Sequence, residues 1–201
     1  MALLFAKNNS LSAVTALPAS VSGGVLNLIS TQTASSSATI DFTSGIDSTY
    51  KEFIFRFYDI HPATDNVDFQ VNFSSDSGSN YNVTKTTTFF AAYENESGSS
   101  GTLTYASAND LQQSTAFQML CDGVGNGNDE TCVGTLHLFD PSNTTFVKHF
   151  IATSHRYYYL DYAIQDYMAG YCNTTSAIDA VQFKFESGNI DSGTIKLYGV
   201  T

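Results

Sequence analysis

The densest group of chemically useful side chains is a run of tyrosines late in the chain. Half of the twelve tyrosines lie in one short segment: Tyr157, Tyr158, Tyr159, Tyr162, Tyr167 and Tyr171. An exposed tyrosine offers a flat apolar ring and a hydroxyl, which suit sugar stacking or a rigid protein interface. Because strand residues alternate between faces, Tyr158 cannot share a face with Tyr157 and Tyr159. Two interpretations stay open: sheet packing with subunit contact, which is favoured, and glycan recognition.

An oxygen-rich segment could chelate a cation. Residues 122–130 read D-G-V-G-N-G-N-D-E and are predicted to form a loop. Calcium prefers several carboxylate and amide oxygens on a flexible backbone. Candidate ligands are Asp122, Asn126, Asn128 and Asp129, followed by Glu130. The spacing differs from an EF-hand, so a solvated hairpin tip is favoured over calcium, and no other cofactor is expected.

Cysteine chemistry is limited to three residues, Cys121, Cys132 and Cys172. Cys121 and Cys132 flank the glycine-rich loop, so a hairpin would let them face each other. A disulfide between them is one expectation if the compartment is oxidising, and reduced thiols are the other. The odd count without metal-like spacing argues against a zinc site.

No catalytic signature accompanies these groups. The chain contains neither an H-E-x-x-H motif nor a G-x-S-x-G elbow. His149 and His155, with Asp161 and Asp166 downstream, could form a catalytic grouping, but ordinary polar-face histidines are favoured. We therefore predict that the protein is not an enzyme.

The charge balance restricts the partners. The chain carries a net charge of −11 and only eight basic residues, which are scattered singly. Nucleic-acid binding requires clustered Lys and Arg, and anionic membranes repel an acidic chain. No apolar stretch reaches the length of a membrane span, and residues 1–6 are too short for a signal-peptide core. We expect neither nucleic-acid binding nor membrane insertion.

The elements that position these side chains are predicted to be strands. Every second residue is apolar in two neighbouring segments: Phe53, Phe55 and Phe57, then Val67, Phe69, Val71 and Phe73. Asp68, Gln70 and Asn72 fall on the opposite face. Residues 62–66, P-A-T-D-N, supply the intervening turn. A period of two is typical of half-buried strands in an antiparallel sheet.

The remaining pattern predicts nine to eleven short strands and almost no helix. One strand is expected over residues 157–168, and a single helical turn over residues 109–115. Close strand spacing with turn signals favours an all-β fold, an antiparallel two-sheet sandwich of the jelly-roll type. Residues 1–24 are predicted to form an extended N-terminal arm, and residues 25–201 a single domain.

Several short motifs carry a resemblance to a known domain. They lie at residues 50–57, 62–65 (P-A-T-D), 75–79, 144–150, 173–178 and 193–199 (G-T-I-K-L-Y-G). Together they resemble a β-sandwich domain that recurs in virion proteins of tailed bacteriophages. The likeness covers most of the chain from about residue 25 onward.

The resemblance implies a structural protein on the exterior of a tailed-phage virion, assembled in the host cytoplasm. A capsid decoration (cement) or fibre protein is expected first, and a tail-associated module that adsorbs to a receptor or carbohydrate second. The implied partners are copies of itself, most simply as a homotrimer, and the major capsid or tail proteins. A host-surface glycan is the further partner of the adsorption alternative.

Overall fold

The computed structural model describes residues 25–201, and the predicted arm, residues 1–24, lies outside them. These described residues form twelve strands and one short 3-10 turn, Ser107–Asn109, without an α-helix. The strands are β1 (Leu26–Ser37), β2 (Ile40–Phe42), β3 (Glu52–Pro62), β4 (Val67–Ser74), β5 (Lys85–Asn95), β6 (Gly101–Tyr105), β7 (Gln118–Val124), β8 (Cys132–Phe139), β9 (Lys148–Tyr158), β10 (Tyr162–Cys172), β11 (Ala180–Phe185) and β12 (Ile190–Val200). The predicted all-β class is confirmed. Over residues 25–201 there is no helix of the length and apolarity that would span a membrane.

All strand pairs are antiparallel and belong to one curled sheet. Its main path runs β1-β12-β3-β8-β9-β7-β4-β11-β2, so that the two ends of the path belong to consecutive strands and the sheet nearly closes. Strands β10, β5 and β6 extend from β9 as a wing. Strand β7 pairs with β9 at Val124–Tyr158, which lies just beyond the outermost β8–β9 pair, Cys132–Arg156. The sheet therefore turns sharply beside Tyr158.

The alternating phenylalanines of β3 and β4 are buried as the sequence predicts. The rings of Phe55 and Phe183 lie 5.5 Å apart, and those of Phe57 and Phe69 lie 5.4 Å apart. These contacts join β3 to β11 and β4 across the core. Each buried phenylalanine contributes about 1.5–3 kcal/mol through removal of apolar surface from water. The core therefore lies between the β3 side of the curled sheet and its β4–β11 side.

The predicted helical turn over residues 109–115 is wrong. The helix is restricted to the 3-10 turn before Asp110, and the following backbone pairs with β5 instead. The Thr87 N–H donates to the Leu111 carbonyl, and the Lys85 N–H donates to the Ser114 carbonyl. Those bonds satisfy the edge of β5 that β6 leaves open, which a helix would not do.

Two predicted boundaries are also wrong. Residues 157–168 do not form one strand, because β9 ends at Tyr158 and β10 begins at Tyr162. Asp161 takes a positive φ of 62° in the connecting turn, a conformation that Asp tolerates. The loop predicted over residues 122–130 begins later, since Asp122 still lies within β7.

Candidate ligand-binding site

A cavity of about 360 Å³ lies where the wing joins β9. Its walls are apolar and largely aromatic: Phe89, Tyr93, Tyr158, Leu160, Tyr162 and Ile164. Arg156 and Asp122 supply polar groups from inside the fold, and Ser100, Thr104 and Asn109 also line it. Volume, apolar walls and a few convergent polar groups are those of a small-molecule site.

Strand register brings the lining residues together. Ile164 of β10 pairs with Tyr93 of β5 on one side and with Arg156 of β9 on the other. In the next row, Tyr162 pairs with Tyr158 across the turn. Even-numbered residues of β9 and β10 therefore point into the fold, where those nearest the turn line the cavity, and odd-numbered residues point outward.

The tyrosine rings support one another. Tyr158 and Tyr162 meet edge to face with centroids 6.1 Å apart, and Tyr93 and Tyr162 do so at 5.9 Å. The Arg156 guanidinium lies 5.7 Å from the centre of the Tyr158 ring. Burial raises the pKa of Tyr158 to about 12, so its hydroxyl stays protonated at neutral pH. The cavity is thus walled by neutral rings held in place by one another.

Gly123 leaves the space that the Tyr158 ring occupies. Its φ is +59°, and a Cβ atom at this position would collide with the Tyr158 ring. Only glycine combines this backbone conformation with so close an approach. The glycine-rich segment after Cys121 therefore shapes the cavity wall.

Arg156 forms a buried ion pair with Asp166. Nη1 of Arg156 contacts Oδ2 of Asp166, and the two side chains are 3% and 0% exposed. Neither Nε of Arg156 nor Oδ1 of Asp166 has a hydrogen-bond partner among residues 25–201. A buried polar atom without a partner costs about 1–3 kcal/mol. The pair is therefore incompletely satisfied, and only its Arg156 partner lines the cavity.

Further carboxylates lie close to this pair. Asp122 lines the cavity, and its neighbour Asp68 accepts a hydrogen bond of 2.9 Å from the Gly123 N–H. Burial, reinforced by the nearby charges of Asp122 and Glu186, raises the pKa of Asp68 to about 6. One buried cation thus faces several acidic groups.

The six predicted tyrosines separate into two sets. Tyr158 and Tyr162 line the cavity, and Tyr159 packs on Tyr158 with centroids 4.6 Å apart. The Tyr157 hydroxyl lies on the opposite side and donates to Glu96. Tyr167 and Tyr171 also point outward: Tyr167 stacks on Phe90 at 4.8 Å, and Tyr171 lies 6.3 Å from His149.

Outward-facing residues of the wing and of β9 form an apolar surface, which we call the outer face. It contains Phe90, Leu103, Tyr105, Ile151 and Tyr167. Phe90 pairs with Tyr105 on one side and with Tyr167 on the other. Leu103 is 68% exposed and Tyr105 is 59% exposed. Within residues 25–201, β6 pairs only with β5, so its other edge is open.

The predicted calcium ligands have various roles. Asp122 faces the cavity, and the Asn126 N–H donates to Asp65 at 3.2 Å. The Glu130 carboxylate accepts from the Gly127 N–H. The part of the chain that the structure describes contains no group of three or more His, Cys, Asp or Glu arranged to hold a metal. Calcium binding through Asp122, Asn126, Asn128 and Asp129 stays a prediction.

The three cysteines are free and buried. Cys121 on β7 and Cys132 on β8 both belong to the buried core, and their thiols influence each other's pKa. Burial raises the pKa of Cys132 well above its usual value, which disfavours the thiolate. A disulfide between them under oxidising conditions stays a prediction.

Sequence patterns did not identify the Arg156–Asp166 pair as a site, although a signal was present. Both residues have even numbers and flank the turn over residues 159–161. With that turn placed correctly, the hairpin register puts both on one face.

Comparison of the chain with protein-family models, with curated proteins and with solved structures gives no match. Function must therefore be inferred from the cavity, the outer face and the sequence motifs.

Proposed function

We propose that the protein is a non-enzymatic structural component on the exterior of a tailed-phage virion, either a capsid decoration (cement) protein or a fibre protein. It acts in many copies as a symmetric oligomer, most simply a homotrimer, and contacts the major capsid or tail proteins. The outer face, together with the open edge of β6, is the observation that carries this proposal.

An open strand edge beside an apolar face favours association. Strand β6, G-T-L-T-Y, carries no charged residue and no proline, the usual devices that protect an edge from pairing. All five of its residues are exposed. Exposed apolar surface of this kind marks protein interfaces. A copy of the same chain covering this face would remove both the open edge and the apolar surface from water.

The resemblance motifs occupy structural positions that suit a scaffold. The P-A-T-D turn connects β3 to β4, and residues 193–199 lie in β12 between β1 and β3. We propose that the finer architecture is the two-sheet, jelly-roll sandwich that the sequence predicts. In that arrangement β7, β4, β11 and β2 form the sheet that packs on the other eight strands, and the phenylalanine contacts support it.

Oligomeric state and location test the proposal. Light scattering of the purified chain should give a closed oligomer, and Leu103→Lys should shift it toward the monomer. Phe146→Lys, at a site with the same 68% exposure but outside the wing, is the matched control and should leave the oligomer intact. Antibody labelling should decorate intact particles. A wild-type monomer at micromolar concentration, or unlabelled particles, would contradict the proposal.

The cavity favours a second candidate, a tail-associated module that adsorbs the particle to a receptor or carbohydrate. A passive decoration protein has no need of an aromatic cavity lined by a buried, incompletely hydrogen-bonded arginine. Purified chain should then compete with particles for host cells. Decoration alone predicts no competition, and turnover of a surface polysaccharide would overturn both non-enzymatic roles.

A further inference from the structure

We infer that the cavity between the wing and β9 binds one neutral sugar ring of a glycan. Tyr93, Tyr158 and Tyr162 supply the apolar walls, and Arg156 and Asp122 contact hydroxyl groups. The inference deepens the adsorption candidate and rests on it for its biological setting, although binding by the isolated chain can be measured without it.

The walls match the apolar faces of a sugar. A pyranose ring presents C–H groups above and below its plane, and these pack on aromatic rings. Tyr162 meets both Tyr93 and Tyr158 edge to face, so the three rings form one continuous wall of the site. A volume of about 360 Å³ lies in the range of small-ligand pockets.

The polar groups match hydroxyls. Arg156 lines the cavity although its side chain is only 3% exposed, and the bond to Asp166 uses one of the five N–H donors of its guanidinium. A sugar hydroxyl can accept an N–H of this guanidinium and donate its own hydrogen to the Asp122 carboxylate. An alkyl or aryl ligand lacks this complementarity.

Charge selects a neutral sugar over an acidic one. Asp166 already compensates the charge of Arg156. Asp122 lines the same cavity, Asp68 lies beside Asp122, and the chain carries a net charge of −11. A uronic or sialic acid would meet this negative field at short range, where repulsion is least screened. The cavity should therefore reject acidic sugars.

Titrations of the full chain with methyl glycosides of glucose, galactose, mannose and N-acetylglucosamine, followed by NMR, test the inference. At least one should bind, and methyl glucuronide should bind at least about tenfold more weakly than methyl glucoside if glucose is the ring recognised. Tyr162→Ala should weaken binding by about tenfold or more, through loss of a wall. Tyr167→Ala, on the same strand but facing outward, is the matched control and should change the affinity by less than about twofold.

Ala106→Phe keeps the test decisive if Tyr162→Ala fails to fold. Ala106 lines the cavity, and a larger side chain there fills space without removing a polar contact. Binding should be lost while the melting temperature changes little. Absence of binding by every neutral glycoside, equal losses in Tyr162→Ala and Tyr167→Ala, or preference for the glucuronide would overturn the inference.

Adsorption assays separate the site from its biological role. If particles carrying Tyr162→Ala lose both sugar binding and adsorption, the site and the adsorption role are both supported. If sugar binding is lost but adsorption is normal, the sugar site stands and the adsorption role fails.

Discussion

Strands β5, β9 and β10 bury cations at both ends, and the two ends treat them differently. At the cavity end, Arg156 pairs with a carboxylate, yet each partner keeps a polar atom without a hydrogen bond. At the opposite end, Lys85 and Lys148 are fully buried, and neither forms an ion pair within residues 25–201. We call this second region the lysine end.

The lysine end satisfies its cations with neutral oxygens. Nζ of Lys85 donates to Oδ1 of Asn72 at 2.6 Å and to the Val83 carbonyl at 2.8 Å. Nζ of Lys148 donates to the Phe146 carbonyl at 3.0 Å. Cys172 pairs with both lysines in the sheet, and burial raises its pKa to about 12. These bonds are directed at structural oxygens, and neither lysine lines the cavity.

The comparison shows how one sheet can separate stability from binding. A buried cation that bonds to amide and carbonyl oxygens of the fold holds strands and loops together. A buried cation that lines a cavity and is incompletely hydrogen-bonded costs stability and is placed to contact a ligand. Substitutions at the two ends should therefore differ in their effect on ligand binding even where both destabilise.

The largest effect is expected at the cavity end. Arg156→Met should lower the free energy of unfolding by about 3–5 kcal/mol, because it leaves Asp166 charged and buried without its partner. The double variant Arg156→Met/Asp166→Leu should recover most of that loss and still lack sugar binding. Urea denaturation measures the stability of the single and the double variant, and glycoside titration measures binding. If Arg156→Met is as stable as the wild type, the ion pair does not carry the stability cost that distinguishes the cavity end from the lysine end.

A somewhat smaller loss is expected at the lysine end. The Asn72 amide donates to the Tyr81 and Thr115 carbonyls, and its oxygen accepts from Lys85. Asn72→Ala should cost about 2–4 kcal/mol through these unsatisfied groups and should leave glycoside affinity unchanged. Gln70→Ala, half-buried on the same strand, is the control, with an expected cost of about 0.5 kcal/mol. Loss of sugar binding in Asn72→Ala would show that the two ends are not independent.

The smallest effect is a pH dependence that originates from Lys85. Burial lowers the pKa of Lys85 from 10.5 to about 8, so the cost of its charge is fully present below pH 8. As the pH rises from 8 toward 10.5, the folded chain releases this proton first, and its stability increases. The raised pKa of Cys172 acts in the opposite direction above pH 9, because only the unfolded chain then ionises that thiol.

Comparison with Lys85→Met isolates the lysine. The part of the Cys172 contribution that arises from burial, its largest cause, is common to both proteins and cancels in the difference. Wild type minus variant should gain about 2 kcal/mol of unfolding free energy between pH 8 and pH 10. A flat difference in denaturation midpoints across this range would show that the Lys85 ammonium is better solvated than its burial indicates.

The fold was predictable where apolar residues alternate strictly. Phe53, Phe55 and Phe57 are buried as expected, because a period of two leaves only one face for a core. Asn72 was predicted on an outward face and is nevertheless fully buried, since Lys85 and two loop carbonyls cover it. A strand residue that is buried by segments distant in sequence cannot be recognised from the alternation of its own strand.

The candidate site was predictable only in part. Tyr158 and Tyr162 belong to the tyrosine run that the sequence indicates. Arg156 and Asp166 were missed as a pair because residues 157–168 have continuous strand character, which conceals the turn. Without the turn, the pairing of β9 with β10 and the shared face of these two side chains do not follow. The concentration of tyrosines therefore identified the region of the cavity, whereas the strand register determined which charged side chains lie in it.

The pairing of β1 with β12 has a mechanical consequence. Leu26 lies opposite Val200 and Ser37 lies opposite Ile190, so the two strands run in opposite directions along their length. Traction between residues 26 and 200 opens this ladder one pair at a time, whereas traction between residues 37 and 200 loads many pairs together in shear. Single-molecule stretching through the second pair of handles should therefore require the larger force. A protein that is anchored at residue 37 and loaded at residue 200 therefore resists a pulling force better than one that is loaded at residues 26 and 200.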